Sequence, residues 1–113
     1  MASAIQVFGT LKCKDTQKAI RFFKDRNIKF QYIDLNEKKI SKGELNSISN
    51  MNPIETLIDT EGKEYKNRNL AFIIHNIEDE LLEHPLLFKT PIVRMGNKSY
   101  IGNLPEKWKT LIG

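Results

Sequence analysis

Within its first thirty-five residues the chain changes hydrophobic period twice, and that change limits what it can fold into. Ile5-Gln6-Val7-Phe8-Gly9 is short, β-rich and closed by glycine, as expected of a buried strand. From residue 15 to residue 26 the apolar residues Ala19, Ile20, Phe22 and Phe23 recur at helical spacing, with Lys18, Arg21, Lys24 and Asp25 on the other face. That pattern predicts an amphipathic helix, closed by Asn27. Residues 28–35 then alternate, with Ile28, Phe30 and Tyr32 on the apolar beat, and predict a second strand with one buried face. Strand, helix, strand in immediate succession implies a parallel pair joined by a right-handed crossover.

The remainder splits into a helical middle and a return to sheet. Ser41 with Glu44 forms a capping box ahead of Leu45 and Ile48, which predicts a helix through Ser49 that Pro53 prevents from continuing. A further short helix is expected over residues 54–58 and an exposed loop over the polar residues 59–69. Residues 70–74 and 77–82 read as helical, the second piece capped by Asn76 and followed by Pro85. Pro91-Ile92-Val93-Arg94-Met95, Gly96-Asn97 and Lys98-Ser99-Tyr100-Ile101-Gly102 form a hairpin pattern in which Gly96 and Asn97 supply positive φ. Pro105 opens a closing helix, with Leu104, Trp108 and Leu111 as its core stripe. The order is βαβ, then a helical insertion of about residues 41–88, then ββα. It predicts an α/β protein with a thioredoxin-like, four-stranded mixed sheet, all of residues 1–113 forming one domain.

Composition narrows the function classes. The longest apolar run, Leu70 to Ile74, is far short of a membrane span, and the N-terminus has no signal-peptide pattern, so a cytoplasmic protein with no membrane partner is expected. The net charge of +4 is mild, and basic and aromatic residues are not interleaved, which gives no support to direct nucleic-acid binding. The single cysteine, Cys13, excludes an internal disulfide and a Cys-x-x-Cys pair. One cysteine and two histidines, His75 and His84, match no zinc spacing, and no metal is expected. Nor is there a local signature for a cysteine hydrolase.

Cys13 falls between the first strand and the first helix, the place where open α/β sheets gather ligands. A helix N-terminus favours the thiolate, and Lys12, Lys14 and Lys18 act in the same direction, while Asp15 opposes them. A lone cysteine more often packs as a small hydrophobe. The polar neighbours Lys12, Lys14, Asp15 and Thr16 weigh against that reading here.

Residues 8–19, Phe8-Gly9-Thr10-Leu11-Lys12-Cys13-Lys14-Asp15-Thr16-Gln17-Lys18-Ala19, resemble the active-site start of the arsenate reductase (ArsC) and Spx family. The block from Lys89 through Thr90-Pro91-Ile92-Val93 to Gly102, followed by Pro105-Glu106, is similar to that family's C-terminal stretch. The resemblance implies a thioredoxin-like fold in which Cys13 is the redox nucleophile and Pro91 a cis-proline facing it. On the residues alone, the reading of Pro91 is an ordinary trans proline opening an edge strand, since cis accounts for only about 5% of X–Pro bonds in folded proteins.

The departures from the family pattern shape the functional expectation. Arsenate-reducing members carry three arginines that cradle the oxyanion; the equivalent positions here align to Glu55, Thr90 and Asn103, and none is basic. Spx-type members resemble a regulator of the RNA polymerase α subunit with a Cys-x-x-Cys switch, and Thr16 stands here where the second cysteine would be. The resemblance therefore implies a single-cysteine thiol oxidoreductase with no bound cofactor. Glutathione, another small thiol or a thiol protein would resolve the adduct. Thr16 would assist the thiolate, and Lys12, Lys14, Thr90, Pro91 and Arg94 would contact substrate. The alternative is a non-catalytic module that binds the RNA polymerase α subunit.

Overall fold

The computed structural model describes residues 4–69 and 76–112. Four strands, β1 (Ile5–Gly9), β2 (Phe30–Asp34), β3 (Ile92–Met95) and β4 (Lys98–Ile101), form one sheet in the order β2-β1-β3-β4. β1 and β2 run parallel with Val7 opposite Tyr32, and β3 is antiparallel to both β1 and β4, as in the mixed sheet of a thioredoxin-like fold. The crossover from β1 to β2 is helix α1 (Lys14–Asp25), which ends at Asn27 in the left-handed conformation, φ 56°.

Helices cover both faces of the sheet. On one, Ala19, Phe22 and Phe23 of α1 meet Ile5, Val7 and Val93, and α5 (Pro105–Leu111) adds Trp108 and Leu111. The Phe22 ring packs edge-on against Trp108 at 5.3 Å between centroids. Phe8, Ile33 and Ile92 point to the other face, where the insertion between β2 and β3 buries Leu45, Ile48, Leu57, Leu81, Leu87 and Phe88. Full burial of each such side chain stabilises by about 1.5–3 kcal/mol.

The insertion contains α2 (Lys42–Ser49), a 3₁₀ turn at Ile54–Thr56, α3 (Lys63–Asn67), α4 (Ile77–Glu83) and a 3₁₀ turn at Pro85–Leu87. The capping box of α2 is complete: Glu44 N–H donates to Ser41 Oγ at 3.1 Å and Ser41 N–H donates to Glu44 Oε1 at 2.9 Å. Asn76 caps α4 by accepting from Asp79 N–H. An antiparallel bridge between Ile58 and Phe88 closes the insertion on itself, with Lys89 N–H donating to the Leu57 carbonyl at 2.7 Å. Asn52 Nδ2 donates to Ser99 Oγ at 3.0 Å and to the Ser99 carbonyl at 3.2 Å, tying the end of α2 to β4.

Five sequence expectations change. The polar run of residues 59–69 is not all loop, because α3 forms within it once Tyr65 has the insertion core to pack on. The helix expected over residues 54–58 is the short 3₁₀ turn Ile54–Thr56. β2 does not bury one face. Ile33 is its fully buried residue, while Phe30 and Tyr32 on the opposite face are half-buried, because this edge strand is covered from both sides. Leu104 precedes the first turn of α5 and stays 39% exposed, off the stripe of Trp108 and Leu111. In the hairpin, Gly96 alone has positive φ, 62°, as a two-residue turn with its left-handed position first requires. The helix expected over residues 70–74, and His75, lie outside the described residues.

Candidate functional site

Parallel pairing of β1 with β2 leaves the carboxyl end of β1 open, and the chain turns there into α1. Cys13 is the N-cap of that helix, in extended conformation with φ −79° and ψ 116°. Its N–H donates to the Thr10 carbonyl at 3.1 Å, and its own carbonyl accepts from Gln17 N–H at 3.1 Å, so the residue is fixed on both sides. Gln17 Nε2 also donates to the Leu11 carbonyl, which holds the preceding turn. The thiol is half-buried and donates to the Thr90 carbonyl, with Sγ 3.7 Å from the oxygen. The next peptide bond, Thr90–Pro91, is cis.

Thr16, one turn into α1, is fully buried at 0% exposure, and its hydroxyl has no hydrogen-bond partner. The space it occupies exists because residue 9 is glycine: a Cβ at Gly9 would lie 2.3 Å from Thr16 Oγ1 and 2.7 Å from Cγ2. The Gly9 carbonyl is held in turn by Leu35 N–H at 2.9 Å and by the Tyr32 hydroxyl at 3.3 Å. Burial, followed by the charges of Asp34 and Glu37, pushes the Tyr32 hydroxyl above the ordinary tyrosine pKa. It therefore remains a neutral donor.

Burial is the largest single influence on the Cys13 thiol and on its own would raise it. The Thr16 and Thr90 hydroxyls and the backbone N–H groups of Thr16 and Asp15 outweigh it together, and the thiol lies below its ordinary value. With the thiol protonated, neither the Thr16 hydroxyl nor the N–H groups of the first turn complete a bond to sulfur. Their influence is that of donors aimed at a charge still to form. A buried hydroxyl without an acceptor is costly, and a thiolate beside it supplies the acceptor.

The fold brings Cys13, Thr16, Thr90 and Pro91 together, with Lys12 and Lys14 exposed on either side of the thiol. Arg94 is not brought there. It stands opposite Gln6, three residues back along β1 from Gly9, and its Nη1 donates to Gln6 Oε1 at 2.7 Å. Glu55, one of the positions aligned with the oxyanion arginines, is exposed on the first 3₁₀ turn.

A cleft of about 420 Å³ opens between the sheet end and the insertion, lined by Thr10 and Thr90, which both hydrogen-bond to Cys13, and by Asp59, Lys63, Glu64 and Leu86. The sequence pattern around Asp59 and Glu64 is that of a solvated loop, and nothing local signals that tertiary folding brings them into one cleft with Thr10 and Thr90. Gly9 and Tyr32 were missed in the same way; the glycine that ends β1 was the one visible trace. Among the described residues there is no group of three His, Cys, Asp or Glu side chains that could hold a metal ion, and no helix is long and apolar enough to cross a membrane.

The sequence profile described as the ArsC family matches residues 8–111. Among solved structures, an ArsC family related protein from Bacteroides fragilis superposes with a TM-score of 0.82 at 22% identity, covering 98% of this chain and 99% of its own. The arsenate reductase of Vibrio cholerae gives a TM-score of 0.80 at 21% identity, covering 98% and 99%. A glutaredoxin from Archaeoglobus fulgidus gives 0.51 at 16% identity, covering 97% and 86%. At these identities the likeness establishes the fold. No curated protein matches the sequence.

Proposed function

Because the chain belongs to the ArsC family, we propose that it is a thiol oxidoreductase in which Cys13 is the sole protein nucleophile and an external small thiol of the glutathione class completes the cycle. The Cys13 thiolate attacks one sulfur of an oxidised substrate disulfide. A bond forms from Sγ to that sulfur, the substrate S–S bond breaks, and the other substrate sulfur leaves as a thiolate. A second small thiol, ionised by loss of its proton to solvent, then attacks the mixed disulfide. It releases Cys13 as the thiolate and carries off the oxidising equivalents as a new disulfide. With a single cysteine in the chain, the second thiol must come from outside.

The observation that carries this reading is the thiol at the N-cap of α1, held below its ordinary pKa by the Thr16 and Thr90 hydroxyls and by first-turn N–H groups. Asp15 beside it is paired with Lys18 at 3.8 Å, which reduces its opposition to the thiolate. Arsenate suits the site poorly. The cleft lined by Thr90, whose carbonyl accepts from the thiol, carries Asp59 and Glu64, and Arg94 is engaged by Gln6. Such a cycle belongs to a compartment that keeps small thiols reduced, which is the basis for placing the protein in the cytoplasm.

The test is exposure of the folded protein to glutathione disulfide, followed by intact-mass measurement. The proposal expects one glutathionyl group on Cys13, removed by added glutathione, and none on a Cys13→Ser variant. A wild-type protein that remains unmodified would overturn it.

A further inference from the structure

The cleft lined at one end by Thr10 and Thr90, the hydrogen-bond partners of Cys13, bears on substrate class. Its near end is Thr10 and Thr90, which touch Cys13 through the backbone N–H and Sγ respectively, and its far side is the insertion loop with Asp59 and the first turn of α3 with Glu64. Gly62 makes the placement of Asp59 possible: a Cβ there would sit 2.8 Å from Asp59 Oδ2. Asp59 Oδ1 accepts from Glu61 N–H at 3.1 Å, so the carboxylate is held in position. Among the described residues neither Asp59 nor Glu64 is in an ion pair, although Lys63 lines the same cleft. The volume, about 420 Å³, is within the range of small-molecule sites.

We infer that the cleft binds the non-reacting arm of a small thiol adduct and that this arm carries a cationic amine, received by Asp59 and Glu64 while the adduct's sulfur is bonded to Cys13. The inference rests on the oxidoreductase reading of Cys13 and adds the charge of the substrate to it. The lysines around the thiol, Lys12, Lys14 and Lys18, are exposed and favour anions without regard to the shape of the adduct. They are screened within about a Debye length, whereas two carboxylates in a concave wall act at short range. An ammonium about 6 Å from two carboxylates, even at the dielectric of water, gains enough to change a rate about tenfold, and salt reduces this to roughly threefold.

The experiment measures how fast Cys13 forms a mixed disulfide with three symmetrical disulfides at physiological ionic strength: cystamine, which is cationic; dithiodiglycolate, which is anionic; and bis(2-hydroxyethyl) disulfide, which is neutral. In each protein the charged rates are divided by the neutral one, which cancels any change in the thiol itself. The ratio for cystamine is expected to fall about threefold in Asp59→Asn and Glu64→Gln combined, and by a smaller factor in each alone, while the ratio for dithiodiglycolate rises. Asp59→Asn keeps the oxygen that accepts from Glu61 N–H, and Glu64→Gln alters only the end of a side chain on a surface helix. Either single variant therefore reads the effect if the double variant is unstable. Equal ratios in wild type and variants would overturn the amine assignment and leave the oxidoreductase reading standing. No reaction of the wild type with the neutral disulfide would overturn both.

Discussion

Replacing Gly9 by alanine places a methyl group 2.3 Å from Thr16 Oγ1 and 2.7 Å from its Cγ2, closer than a real Cβ contact allows. Thr16 cannot rotate away, because it is fully buried on the helical first turn of α1 and its β-branched side chain has few rotamers. The sheet and the N-terminus of α1 must therefore separate by roughly 0.7 Å or more, a typical overpacking event that costs about 2–3 kcal/mol. Gly9 has no positive φ, so alanine there also restricts the unfolded chain and returns about 0.4–1 kcal/mol. The net loss expected is about 1–2.5 kcal/mol, or a fall in Tm of roughly 4–10 °C for a chain of this size. Thermal and urea unfolding followed by circular dichroism would measure it. The decisive comparison is a double-mutant cycle: in a Thr16→Ala background the two nearest atoms are gone, and Gly9→Ala should then cost less than about 1 kcal/mol. The separation also withdraws the first-turn donors from Cys13, so the single Gly9→Ala variant should alkylate with a midpoint shifted upward. An equal loss of stability in both backgrounds would refute the argument that Gly9 exists to admit Thr16.

Thr16→Val, nearly isosteric, removes a buried hydroxyl that lacks a partner, so below the ionisation of Cys13 it should be neutral or stabilising by about 1 kcal/mol in urea unfolding, yet raise the thiol midpoint. Because the Cys13 pKa is depressed in the folded state, its contribution to stability is present above the unfolded value and lost as pH falls through the folded one; the stability of wild type relative to Cys13→Ser should grow as pH rises across that window. Ser41→Ala breaks the capping box of α2 and should cost about 1 kcal/mol in unfolding, with the Cys13 alkylation midpoint unmoved.

What the sequence made legible and what it concealed divide along the range of the interactions. The period change of residues 5–35, the capping box at Ser41 and Glu44, Asn76 ahead of α4 and Pro105 at the start of α5 are local signals, and each element stands where they put it. The placement of Cys13 at the start of α1 was legible for the same reason. Helix α3 was not, because five residues in a polar run depend on Tyr65 reaching a core built from distant segments. The faces of β2 were misread because alternation does not show whether an edge strand is covered on one side or both. At the site, Thr90 meets Cys13 across seventy-seven residues, and Asp59 and Glu64 come into the cleft that Thr90 lines through the closure of the insertion at Ile58 and Phe88. The resemblance implies a substrate contact for Arg94, but strand register sets it opposite Gln6.

The central claim is that Cys13 is held ready as a thiolate by the start of α1 and by Thr16. It is tested most directly by the pH dependence of Cys13 alkylation with iodoacetamide, measured on the folded wild type and on Thr16→Val by mass spectrometry. The account predicts a wild-type midpoint below the ordinary cysteine value of about 8.5 and a midpoint in Thr16→Val that moves up toward it. A wild-type midpoint at or above the ordinary value would contradict it.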